Sequence, residues 1–538
     1  MGTANGALVK GWSIVPVLPW LVVGAAFWFL YPLCDYFMLG TEDEMELLYY
    51  SHRILLGQFP HLDFFTPLPP LTFVSMAAWW SVVGESLFSA RLLFAGVMGM
   101  AALLLFLLGS RLLPPWAAVV ASLLFLTETV SWAVWSKNWL NAPVYLLTVL
   151  LLVRHAEKPG RLTMVAAGSG AGICFLNTQY IGVVALVLGT IVAFTELDWP
   201  SRRRRQFELG LGFVAILVPY LLVYAWAGAL RGMWQEQFLF PLYGYADYNR
   251  FPYQIFPNLG LVRAGLTSVG GFTLAEAWQA RGPLLDFFTW PTRTLLVHTL
   301  FYPLTLVFFL LAFVRWWTTG ERVLCILSVG QLGLSLTTLT RPDEAHLAYA
   351  RTLWWILLLA LLLELWRRAP RAVAWTVVPV AGMAMMAVLI QGWLHHRRWA
   401  DAAYRVRFPR EVVRVREPQV AKALAVTIAM LDERSRPGEA IYIYPINPVF
   451  YFLTGRENPT STERLLPFYD SPQQHDRIFS ELEKADPRLK AILVFNIDFP
   501  MYLKQYPSVP AAEFEQIVRG FEKRMQDRFG DRVLHPPF

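Results

Sequence analysis

The feature that most limits what this chain can become is its series of long, almost charge-free apolar runs. A bilayer core has no water to satisfy backbone groups, so each crossing takes a helix of roughly 17–25 mostly apolar residues. Such runs cover 11–33, 88–109, 113–129, 133–153, 163–178, 180–195, 208–229, 294–314, 322–340, 347–366 and 372–394, which predicts eleven spans. The composition agrees. Of 538 residues, 56% are hydrophobic and only 16% charged, where a soluble chain carries about a quarter. An ordinary cytosolic enzyme is excluded, and so is a disordered chain. The first run is too long and aromatic for a cleaved signal peptide. In 163–178, Gly168, Ser169, Gly170, Ala171 and Gly172 allow close helix packing in lipid. Cys34, Cys174 and Cys325 lie far apart and without metal spacing, so they indicate neither a disulfide framework nor a zinc site.

A twelfth run, 67–84, is also apolar enough to cross. Basic residues decide against it. If it does not cross and the N-terminus is cytoplasmic, the short inner connections hold Lys10, Arg111, Arg154, Lys158, Arg161, Arg202 to Arg205, Arg315, Arg367, Arg368 and Arg371. The much longer outer connections hold fewer. This is the bias that sets orientation. The run 67–84 is therefore expected to be a juxtamembrane or re-entrant helix on the outer face. The quadruple arginine at 202–205 is a topology signal near anionic headgroups, and no nucleic-acid partner is expected.

This arrangement divides the chain into a membrane domain, 1–394, and a soluble extracytoplasmic domain, 395–538. Two long outer loops, about 34–87 and 230–293, interrupt the first. In the second, charges are dense. Short strand-like runs at 440–444 and 491–495 stand among amphipathic helical patterns at 417–433, 473–485 and 511–528, which reads as α/β. The protein is expected in the plasma (inner) membrane as a multi-pass protein.

The densest acidic cluster, Glu42, Asp43, Glu44 and Glu46, follows the first span and opens an amphipathic helix over 44–56 that Gly57 can stop. Acids suit the positive end of a helix. A carboxylate at the lip of a helix bundle can equally serve as a general base or hold a metal. Asp43-Glu44, Gly57-Gln58-Phe59-Pro60, Asp63-Phe64-Phe65, Pro69-Pro70-Leu71, Gly84 and Ala90-Arg91-Leu92 follow in order. Their pattern resembles the first outer loop of the C-fold membrane glycosyltransferases, the superfamily of protein O-mannosyltransferases and lipid A aminoarabinose transferases. The phrase Tyr451 to Arg456 (YFLTGR) is similar to a phrase of the same enzymes.

The resemblance implies a GT-C-like fold and a glycosyltransferase of the outer membrane face. A hexosyl or pentosyl unit would move from a polyprenyl-phosphate donor to a lipid, glycan or protein acceptor. Asp43 matches the catalytic acidic position and would be the base, with Glu44 in support; Glu42 remains an alternative. Asp63, between aromatics, is expected to touch substrate. Relatives carry a second aspartate in the next outer loop. Here 128–141 offers Lys137, Asn138 and Asn141, and Glu128 is its nearest carboxylate. A transporter or flippase of a lipid-linked substrate is the rival reading.

A departing phosphate needs fixed cations. Arg91 near the start of the second span, Lys137 among Trp132, Trp135 and Trp139, and Arg341 and His346 in the short connection TRPDEAH (340–346) are the candidates. Each has a plainer alternative as an interfacial or turn residue. The sequence assigns no organic cofactor and leaves a metal requirement open. A divalent cation held by His346, Asp343 and the first-loop acids suits the residue types, although no motif spacing demands it. The aromatic string 238–248 would stack on sugar faces or anchor at the bilayer surface.

Overall fold

In the computed structural model, residues 17–37, 42–129, 136–195, 198–245, 299–342, 344–466, 470–496 and 509–537 are described. Every one of the apolar runs contains helix. The helices are α1 (Leu18–Leu30), α2 (Glu42–Leu55), α3 (Leu71–Val83), α4 (Leu87–Gly109), α5 (Pro115–Thr129), α6 (Lys137–Glu157), α7 (Arg161–Asn177) and α8 (Gln179–Phe194). They continue with α9 (Trp199–Trp226), α10 (Leu230–Trp234), α11 (Phe301–Thr319), α12 (Arg322–Leu336), α13 (Glu344–Ala350), α14 (Trp354–Arg368) and α15 (Arg371–Ala400).

Five of these, α4, α6, α9, α11 and α15, are long and apolar enough to cross a membrane. The other helices of the apolar runs have fewer than 18 residues each, so helix length alone does not establish eleven spans. One run is split into α13 and α14 around Arg351, which turns inward to an ion pair with Glu128. Helix α3 has 13 residues. At 1.5 Å per residue that is about 20 Å, short of a bilayer core of about 30 Å. The glycine-rich stretch of α7 lies against α9 so closely that a Cβ on Gly168 would stand 2.0 Å from the Leu209 carbonyl oxygen, and one on Gly212 2.0 Å from that of Val165. Small residues there are a packing requirement.

After α15 the chain forms an antiparallel hairpin, β1 (Tyr404–Arg407) with β2 (Val412–Val415). Then come α16 (Pro418–Arg434), β3 (Ala440–Tyr444), α17 (Val449–Thr454), α18 (Pro472–Ala485), β4 (Leu489–Val494), α19 (Ala511–Phe529) and β5 (Val533–Leu534). Strands β3, β4 and β5 make a parallel sheet in that order. Alternate residues separate its faces. Ile441, Ile443, Ala491 and Leu493 join the main core, while Tyr442, Tyr444, Ile492 and Val494 pack with Ile478, Leu482, Phe514, Phe521 and Met525 of α18 and α19.

The YFLTGR phrase proves to be a joint. Residues 451–454 lie in α17, which Gly455 ends with φ +66°. Arg456 is wholly buried and donates to the Ser435 hydroxyl at 2.7 Å and to Asp432 at 2.8 Å. The Tyr451 ring stacks on Tyr49 of α2 at 4.9 Å, and Phe452 on Trp80 of α3 at 5.2 Å. From this joint the segment 457–466 runs back over α2. There Arg53 pairs with Glu463 and donates to the Thr460 carbonyl, and the Phe65 N–H donates to the Ser461 carbonyl.

Candidate active site

Helix α2 begins at Glu42, and Gly57 takes φ +82° just beyond its end. From Glu44 to Arg53 it is buried almost throughout. Asp43 is exposed, whereas Glu44 and Glu46 are buried. The Glu42 side chain lies outside the described residues.

Glu44, expected to support the base, and Arg91, expected at the phosphate, hold each other. Both side chains are 0% exposed, with Arg91 Nη2 2.7 Å and Nε 3.2 Å from the two Glu44 oxygens. Arg91 Nη1 donates to the Leu33 and Tyr36 carbonyls, so the guanidinium ties the end of α1 to α2 instead of clamping a phosphate. Asp63, expected at the substrate, closes its own turn: it is exposed and accepts the Phe59 N–H at 2.6 Å.

Glu46 meets Arg464 at 3.1 Å and accepts from the Tyr50 hydroxyl. Burial pushes its carboxyl above the ordinary range, against the pull of Arg464. Lys137 is the first residue of α6, whose N-terminus is capped by Ser136. It is half-buried and within electrostatic reach of Asp43, Glu46 and Arg464. Among the described residues, Asp43 and Lys137 form no ion pair or hydrogen bond. Two opposite charges are thus left uncommitted beside an ion pair already made.

A string of contacts leads from Lys137 toward His346. The neighbouring Asn138 accepts from the Tyr180 hydroxyl at 3.2 Å, Tyr180 meets the Tyr349 hydroxyl at 3.5 Å, and the Tyr349 ring lies edge-on to His346 at 6.0 Å. Arg341 is half-buried after α12, its N–H donating to the Thr338 carbonyl. Asp343, Trp132, Trp135 and residues 246–298 lie outside the described residues. Glu128, the stand-in for a second aspartate, is buried and engaged by Arg351 and the Trp355 indole. Among the described residues no group of three or more His, Cys, Asp or Glu side chains comes together to hold a metal.

Sequence patterning missed the ionic partners of α2, Arg464 opposite Glu46 and Glu463 opposite Arg53, because they reach that helix only through long-range folding. His61, a loop histidine by its place in the sequence, adopts φ +64°. The His61 ring is wedged between Glu236 at 2.8 Å and Gln237 at 2.7 Å. It locks the segment after α2 to the π-helical turn at Gln235–Leu239. Beside it, Phe240 of the aromatic string packs edge-on against Phe65 at 5.1 Å.

This helical bundle with an acidic first-loop helix has the fold of the C-type membrane glycosyltransferases, and the chain is a multi-pass membrane protein. Similar solved structures include ArnT from Cupriavidus metallidurans and the archaeal oligosaccharyltransferase AglB from Archaeoglobus fulgidus. ArnT in its apo state matches with a TM-score of 0.54 and 13% identity over 89% of each chain, and its complex with undecaprenyl phosphate matches at 0.53. AglB in complex with an inhibitory peptide and a dolichol-phosphate matches at 0.50 with 12% identity, over 95% of this chain and 72% of that one. No family model matches the sequence, and no curated protein matches it.

Proposed function

We propose that the chain is an integral-membrane glycosyltransferase that moves a sugar from a polyprenyl-phosphate donor to a hydroxyl acceptor at the outer membrane face. The observation that carries this is the uncommitted pair Asp43 and Lys137, surrounded by acids and bases that are already matched. In the reaction, Asp43 takes the proton of the acceptor hydroxyl. The acceptor oxygen bonds to the anomeric carbon as the bond from that carbon to the phosphate oxygen breaks. Lys137 lies where it would stabilise the departing phosphate. Arg341 and His346 are proposed for the far side of the same donor site. The bound polyprenyl phosphates of the ArnT and AglB structures support the donor class.

The proposed topology has eleven spans, a cytoplasmic N-terminus, and residues from 395 onward outside in a separate α/β domain. A transporter would have no use for an uncommitted carboxylate within electrostatic reach of an uncommitted ammonium. The test is transfer of radiolabelled sugar from a polyprenyl-phosphate donor to a membrane extract. Asp43→Asn keeps size and shape but cannot take the proton, so transfer falls by about 10²–10⁴-fold while the protein still binds donor. Equal rates for the two proteins would remove Asp43 from the chemistry.

A further inference from the structure

The hairpin β1–β2 displays a row of charges that the proposed reaction does not use. It lies across three helix ends. Arg414 pairs with Asp35 at 2.6 Å and donates to the carbonyls of Pro32 and Trp399, just beyond α1 and at the end of α15. At the turn, Arg410 pairs with Glu85 at 2.7 Å, and Glu411 accepts the Leu87 N–H at 2.8 Å, at the start of α4. Helices α1 and α15 end where α4 begins, so the hairpin runs over one end of the bundle.

Strand alternation divides its faces. Val406, Phe408, Val413 and Val415 are buried in the core, whereas Arg405, Arg407 and Arg416 are exposed. Arg405 stands directly opposite Arg414 in the register. Asp35 balances Arg414, and among the described residues Arg405 is left with no carboxylate of its own. Among the described residues, Arg405, Arg407 and Arg416 make no ion pair or hydrogen bond.

The same end of the bundle carries an aromatic collar. Trp28, Tyr31, Trp393 and Tyr404 are exposed, and the Trp28 ring stacks on His396 at 4.4 Å beside a shallow groove. Trp and Tyr gather at the headgroup level of a bilayer. Tyr404 of this group is the residue before Arg405, so the arginine row begins beside the exposed aromatics.

We propose that the exposed arginine face of the hairpin binds the phosphodiester headgroups of anionic bilayer phospholipids. Guanidinium forks match phosphate oxygens, and a row anchored to three helix ends presents them with little ordering cost. Bound headgroups would hold the hairpin, and with it the segment that covers α2, at a fixed height. The proposal depends on the membrane placement of the helices and not on the identity of the reaction.

The test uses the full-length protein in mild detergent, titrated with short-chain phosphatidylglycerol or phosphatidylcholine, with bound lipid counted by native mass spectrometry. Wild type is expected to prefer phosphatidylglycerol. In the Arg405→Gln/Arg407→Gln/Arg416→Gln variant that preference falls by on the order of a hundredfold, at several-fold per arginine. Its elution profile and lipid-free melting temperature should match wild type. Should the triple variant not fold, Arg407→Gln alone must lose several-fold. An undiminished preference for phosphatidylglycerol in the variants would overturn the proposal. So would a loss of undecaprenyl phosphate binding in the variant, which would assign the row to the donor carrier.

Discussion

Exchanging the partners of the Glu44–Arg91 pair separates residues that hold the site from those that act in it. Both side chains are fully buried, and Arg91 spends its donors on Glu44 and on the Leu33 and Tyr36 carbonyls. Glu44→Gln leaves a guanidinium without a counter-ion in a dry site. Breaking a buried pair in this way costs about 3–5 kcal/mol. Arg91→Met strands the carboxylate and also orphans two carbonyls, so it should fall at the upper end of that range. The double variant Glu44→Gln/Arg91→Met leaves no buried charge. Replacing such a pair with uncharged side chains is often close to neutral, so the two losses should not add, with a coupling of about 2 kcal/mol or more. The assay is the apparent melting temperature of detergent-purified protein at one scan rate, because unfolding of a large membrane protein is governed by rate as well as equilibrium. Both single variants should melt several degrees below wild type, and the double variant should recover at least half of the loss. Two outcomes refute the reasoning. One is single variants that melt with wild type. The other is Glu44→Gln that melts with wild type but transfers no sugar, which would return Glu44 to the chemistry.

Lys137→Met should lower transfer by about 10²–10³-fold through loss of a fixed cation at the leaving phosphate, with Lys137→Arg recovering part of it; steady-state kinetics with varied donor would show this, and full activity of the methionine variant would exclude the role. Burial pushes the Asp470 carboxyl up to about 7, so between its ordinary value near 3.8 and about 7 the folded state holds a proton that the unfolded state has lost. Stability should therefore fall as pH rises through that window, by at most about 1.4 kcal/mol per pH unit. Asp470→Asn should flatten the slope in melting scans between pH 5.5 and 8, and an unchanged slope would count against the assignment. Reporter fusions at residue 400 should be active only outside the cytoplasm, and activity inside would invert the proposed topology.

Much of the architecture was legible along the chain. The apolar runs, the stop at Gly57, the strands β3 and β4 and the helices α16, α18 and α19 all stand where period and punctuation predicted them, since each depends on neighbours within a few residues. The hairpin β1–β2 was less legible. Its four-residue strands are too short for a pattern, and Arg405 opposite Arg414 is not a pairing that sequence rules favour.

The acids of α2 show most clearly where reading along the chain stops. Sequence places Asp43, Glu44 and Glu46 on one short helix that follows the first apolar run, and by itself determines that several carboxylates stand close together there. Which carboxylate is free is not a local property. It depends on Arg91, reached across the end of α1, and on Arg464, brought back from more than four hundred residues away. Those two arginines pair with Glu44 and Glu46, while Asp43, within electrostatic reach of Lys137, pairs with neither. Burial and charge pairing are set by what arrives from elsewhere, so only the tertiary structure shows that Glu44 and Glu46 are paired and Asp43 is not.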